Sequence, residues 1–112
     1  MAKSRKNSRN RVAHTHDLKC DPDHFIQLIH GLKTFEFRYN DRDFQVLDFV
    51  SIAEFDFLKD AYTGRTALFQ ITHLLTADDL NFYCQPTPFP AGFVILSIQM
   101  VIRTVWIQRH IV

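Results

Sequence analysis

Apolar and polar residues alternate with a period of two over much of this chain, the pattern of β-strands that bury one face. The sharpest case lies at the centre, where Thr34, Glu36 and Arg38 alternate with Phe35, Phe37 and Tyr39. Alternation alone makes this a strand with an aromatic and a charged face, and Phe35 and Phe37 are expected to be core. A charged turn, Asn40-Asp41-Arg42-Asp43, follows directly. His16–Lys19 reads as a short first strand, and Phe44–Phe57 as another strand, bent near Asp48. Lys59–Arg65 holds Asp60, Thr63 and Gly64 and reads as a turn, so that Thr66–Leu75 completes a hairpin with the strand before it. Phe93–Ile98 is a β-branched, buried run, and Met100–Val112 is again strand-like.

One segment changes period. Phe25, Leu28, Ile29 and Leu32 recur at three- and four-residue spacing. Asp21 is placed to cap, Pro22 suits the first helical position, and Gly31 suits the left-handed residue that ends a helix. Between Asp78 and Gly92, Pro86, Pro88 and Pro90 exclude a sheet interior and predict a long loop, with Phe82, Tyr83 and Phe89 tucking it onto the body. The sum is about five or six strands and one clear helix: a mainly β fold with short helices (α+β), arranged as a small closed or half-closed β-barrel.

Composition changes this picture in one respect. The 112 residues, 46% of them hydrophobic and 11 of them Phe, suffice for one folded domain. The formal net charge of +1 conceals an asymmetry: residues 1–12 hold five basic groups and no acid, leaving the remainder acidic. Residues 1–15 are therefore expected to be a basic flexible arm, suited to contacting phosphates, and residues 16–112 the domain. No apolar run has the length of a membrane span, and the first ten residues do not resemble a secretion signal. The expectation is a cytoplasmic protein without membrane association, its two cysteines reduced.

Several residues in order then become recognisable. His16-Asp17-Leu18-Lys19, Pro22, Phe25, Gly31-Leu32-Lys33-Thr34-Phe35-Glu36, Arg38, Asn40-Asp41-Arg42-Asp43-Phe44, Val46 and Asp48 resemble the DUF3850 family of phage and bacterial ASCH-like proteins. The resemblance continues through Glu54, Tyr62-Thr63-Gly64-Arg65 and Phe93–Ile98. It implies a PUA-like β-barrel, of the ASCH group, whose cleft receives RNA or a modified nucleobase. Some ASCH proteins are similar to amidohydrolases that deacylate N4-acetylcytidine with a lysine, a threonine and a glutamate, and others to ribonucleases or RNA binders. The lysine of that motif matches Lys33, but the position of the threonine holds Glu36. Leu47 stands where the family usually has glycine, and Asp78 and Asp79 are the only acids near the place of the catalytic glutamate.

The chemistry of these side chains leaves two readings of the central stretch open. Lys33, Glu36 and Arg38 suit a ligand site in which carboxylates accept from exocyclic amines and cations bind phosphate or carbonyl groups. They equally suit an ion-pair network that secures strand and turn. His16, Lys19, Arg38, Tyr39, Asn40, Arg42 and Arg65 are the candidate ligand-binding residues, with Lys33 and Glu36 the candidate catalytic pair. If the protein is an enzyme, it is a nucleoside amidohydrolase or ribonuclease with Glu36 as base, Lys33 as electrostatic partner and His16 or His73 as acid. His14, His16, Cys20 and His24 are close in sequence, but no Cys-x-x-Cys pair anchors them, so neither a metal nor another cofactor is expected. A third reading is a protein-interaction module of phage origin that uses the strand-like C-terminus.

Overall fold

The computed structural model describes residues 11–83 and 91–105. The elements run β1 (Thr15–Cys20), α1 (Pro22–Ile29), β2 (Phe35–Tyr39), β3 (Phe49–Asp56), β4 (Ala61–Thr76), α2 (Ala77–Tyr83) and β5 (Phe93–Val105). The five strands form one mainly antiparallel sheet in the order β1-β3-β4-β5-β2, with β1 parallel to β3. The sheet curls into a half-barrel of the expected α+β kind. Its concave side is filled by Leu18, Val50, Ile52, Phe69, Ile71, Val94 and Leu96, together with Phe25 and Leu28 of α1.

Helix α1 forms for the reasons legible in its sequence. The Asp21 carboxylate accepts from the backbone N–H of His24 at 2.8 Å, and Pro22 opens the first turn. At the other end Gly31 takes φ +75°, and the N–H groups of Leu32 and Lys33 both donate to the carbonyl of Gln27. This is a left-handed helix stop of the glycine type.

Four sequence expectations need correction. Phe35 and Phe37 are not core: β2 turns its aromatic face outward, leaving Phe35, Phe37 and Tyr39 46, 49 and 59% exposed, while Glu36 is 4% exposed. Register is the reason. Glu36 lies opposite Leu96 and Arg38 opposite Val94, both of which point into the core, and directly opposed residues share a face. The outward rings instead cover Phe93, at centroid distances of 4.9 Å for Phe37 and 4.4 Å for Tyr39.

The segment before β3 is not strand. Asp43 and Leu47 take φ of +52° and +80°, which breaks the ladder, and β3 begins only at Phe49. The hairpin turn falls at residues 57–60, where the Asp56 carboxylate accepts from the N–H groups of Leu58 and Lys59. Tyr62-Thr63-Gly64-Arg65 therefore belongs to β4 rather than to a loop tip. Finally, the expected long loop starts with α2. Its first turn is closed reciprocally, because Thr76 Oγ1 accepts from the Asp79 N–H while Asp79 Oδ2 accepts from the Thr76 N–H. The proline-rich remainder, residues 84–90, and the end of the C-terminal tail, residues 106–112, lie outside the described residues.

Candidate ligand cleft

The half-barrel has two open edges, β1 and β2, and they meet across a seam. No backbone ladder joins them. Arg38 Nη2 donates to the carbonyl of Lys19 at 2.6 Å, and Arg42 Nη1 donates to the carbonyl of Asp17. Two guanidinium groups thus lace the seam by using carbonyls that the unpaired edge of β1 leaves free.

Where the seam meets the start of α1, a cavity of about 420 Å³ opens. Lys19, Cys20 and His24 line one side, Lys33, Glu36 and Arg38 the other, with Phe35 and Phe57 at the rim. Each is delivered by a feature already described. The inverted face of β2 brings Glu36 and Arg38 inward, and the stop of α1 at Gly31 fixes the backbone of Lys33 at the strand mouth.

Glu36 is the distinctive group. Its Oε1 accepts from Arg38 Nε at 3.3 Å. Among the described residues its Oε2 is buried without a hydrogen-bond partner, and Lys33 Nζ stands 3.7 Å away as an ion pair. Buried carboxylate oxygens are normally satisfied, and leaving one without a partner costs about 1–3 kcal/mol or more.

The other two buried carboxylates among the described residues show the normal arrangement. Asp48 accepts two bonds from Arg11 at 2.7 and 3.0 Å, one from His16 Nε2 at 2.8 Å, and others from the N–H groups of His14 and Gln45. Burial alone would push its carboxyl up, but the bonds from Arg11, His16 and the two amides outweigh that and hold it well below the usual range. Glu54 takes a two-pronged contact from Arg65, both bonds at 2.7 Å, and one from the Thr63 hydroxyl. The Arg65 contact, opposed by burial, lowers its carboxyl too. Asp48 and Glu54 are saturated. Glu36 is not.

The cleft therefore unites Lys33, Glu36, Arg38 and Lys19 and leaves other candidates elsewhere. His16 is committed to Asp48, and Arg65 is committed to Glu54 and rests 5.4 Å from the Phe25 ring centre. Asn40 Oδ1 accepts from the Phe44 N–H and shapes the turn after β2. Tyr39 stacks on Phe93 on the outer face, and Arg42 serves the seam. Asp79 caps α2.

Cys20, His24 and Phe57 line the cleft without having been singled out as ligand-binding residues. Period-two burial of β1 turns Cys20 inward, and Asp21 as helix cap aims the first turn at the opening. Burial, reinforced by the Glu36 charge, pushes the Cys20 thiol up to about 12, so it stays protonated at neutral pH and acts as a wall, not a nucleophile. Among the described residues no group of three His, Cys, Asp or Glu side chains is arranged to hold a metal ion.

The chain belongs to the DUF3850 family, a domain of unknown function, whose model matches residues 15–98. That span runs from β1 into β5 and includes every residue of the cleft. No curated protein matches the chain.

Proposed function

We propose that this DUF3850 protein is an ASCH-type, PUA-like binder of RNA or of a modified nucleoside, and that the base enters the cleft between β1 and β2. In this reading Glu36 Oε2 accepts from an exocyclic amine or ring N–H. Lys33 and Arg38 meet a base carbonyl or a phosphate, and Phe35 and Phe57 offer aromatic surface at the rim for stacking. The observation that carries the reading is Glu36 Oε2, buried with no hydrogen bond among the described residues and only the 3.7 Å ion pair to Lys33. Such an acceptor calls for a donor, and a base entering the cleft supplies one.

A binder fits this geometry better than the hydrolase alternative. His16, one candidate acid, is held by Asp48, and no hydroxyl side chain lines the cleft among the described residues. Hydrolysis there would depend on Glu36 activating a water, with Lys33 as electrostatic partner. The basic arm adds non-specific phosphate contacts, and the setting is cytoplasmic. No helix among the described residues is long and apolar enough to cross a membrane.

The test is binding of cytidine, N4-acetylcytidine and a labelled mixed-sequence RNA 8-mer to the full chain and to Glu36→Gln and Lys33→Ala. Loss of a charge-assisted bond should weaken affinity by about tenfold to a hundredfold. Unchanged dissociation constants in both variants would sink the assignment. Release of acetate or RNA fragments that stops in Glu36→Gln would favour the hydrolase instead.

A further inference from the structure

The cleft is not the only concavity at the seam. On the outer face of the sheet a groove of about 710 Å³ runs over β1, β3 and β4, and it shares Lys19, Arg38 and Phe57 with the cleft. Its cations are Lys19, Arg38 and Arg42, against Asp17 as the one acid among its lining residues. Its floor carries Ser51, and its far wall is Tyr62.

Two features make this groove suited to a chain of phosphates and bases. The first is charge: three cations follow the seam, and the two arginines each spend one N–H on a β1 carbonyl, leaving further donors on each guanidinium. The second is aromatic surface. Phe57 and Tyr62 both pack edge-on against the buried Phe55, at centroid distances of 4.9 Å, and each remains 59% exposed. Lys19 Nζ sits 4.2 Å above the Phe55 ring, so a cation lies at the middle of this aromatic group. Interleaved cations and exposed rings in a groove are the means by which proteins track a single strand.

We infer that the cleft holds one nucleotide of a single-stranded RNA and that this outer groove holds the adjoining phosphate and base. The inference rests on the reading of the cleft given above and adds a second subsite to it. Phe57 stands at the passage between the two, with Arg38 and Lys19 bridging the linking phosphate. Tyr62 is the stacking platform for the neighbouring base.

The experiment compares cytidine, which fills only the cleft, with the RNA 8-mer, on the full chain and on Glu36→Gln, Tyr62→Ala and Ser51→Glu. Tyr62 is largely exposed and Ser51 lies on the outer face, so the core loses at most the edge contact of Tyr62 with Phe55, and circular dichroism melts check that both variants fold. The 8-mer should bind at least about tenfold more tightly than cytidine. Both groove variants should weaken 8-mer binding by about fivefold or more while cytidine binding holds, and Glu36→Gln should weaken both. If Glu36→Gln weakens both probes but neither groove variant affects the 8-mer, the second subsite is wrong and the cleft stands. If neither probe responds to Glu36→Gln, or neither binds, both readings fall.

Discussion

Replacing Glu36 with methionine should leave the fold as stable as before or make it more stable, although a buried charged residue is removed. The magnitude follows from its contacts. Oε2 has no hydrogen-bond partner among the described residues, and relief of a buried acceptor without one contributes about 1–3 kcal/mol. Against this stand a 3.3 Å contact to Arg38 and a 3.7 Å pair with Lys33, single stretched contacts unlike the two 2.7 Å bonds that hold Glu54, together worth about 1 kcal/mol. Arg38 keeps its bond to the Lys19 carbonyl, and methionine is flexible enough to fill the space beside Leu96. The net effect is about 0 to +2 kcal/mol, or a Tm that is unchanged or raised by up to roughly 10 °C in a domain of this size. Glu54→Met is the control. It strips a saturated carboxylate from Arg65 and should cost about 2–4 kcal/mol, somewhat under the value for a fully buried pair because the guanidinium keeps partial exposure. Thermal melts and urea titrations of the two variants against the parent decide the matter. If Glu36→Met falls as far as Glu54→Met, Glu36 is a structural carboxylate and the argument for a ligand site collapses.

Three further outcomes follow. Asp48 is held below its ordinary value of 3.8, so its contribution to stability is full above about pH 4 and is lost as pH falls through the depressed folded value; urea midpoints should drop on acidification, and Asp48→Asn should be less stable at pH 7 with a flatter acid limb. The Cys20 thiol, buried and pushed up to about 12, should resist a disulfide reagent in the native protein at pH 8 and react fully in urea, read in a Cys84→Ser background; rapid native labelling would contradict its burial. Thr76→Ala removes one half of the reciprocal cap on α2 and should lower stability by about 1 kcal/mol, with amide exchange of α2 accelerated and that of β3 unaffected.

Much of the scaffold was legible along the chain because it depends on local rules. Asp21, Pro22 and Gly31 mark α1 by capping, turn and φ preferences that act within a few residues. The alternation of Ala67, Phe69 and Ile71 marks the buried face of β4 for the same reason. The cap of α2 was also present, as Thr76 three residues before Asp79, but the helix is only seven residues long and carries no apolar period to draw attention. Asp43 is a residue type that tolerates positive φ, but Leu47 is not, so the run Phe44–Phe57 reads as one strand although the backbone at Asp43 and Leu47 delays β3 to Phe49.

The charged cluster Lys33, Glu36 and Arg38 was visible as a candidate site from residue type and spacing, and so was its choice between site and scaffold. Alternation establishes that β2 has two unlike faces, but not which faces inward, because a period of two is symmetrical between them. Only pairing with β5 decided that, by setting Glu36 opposite Leu96 and sending Phe35 and Phe37 outward. In the same way Arg65 and His16 look as ligand-ready in the sequence as Arg38 does. The tertiary structure commits the first two to Glu54 and Asp48 and leaves one oxygen of Glu36 without a hydrogen bond among the described residues, because saturation of a carboxylate is a property of long-range neighbours.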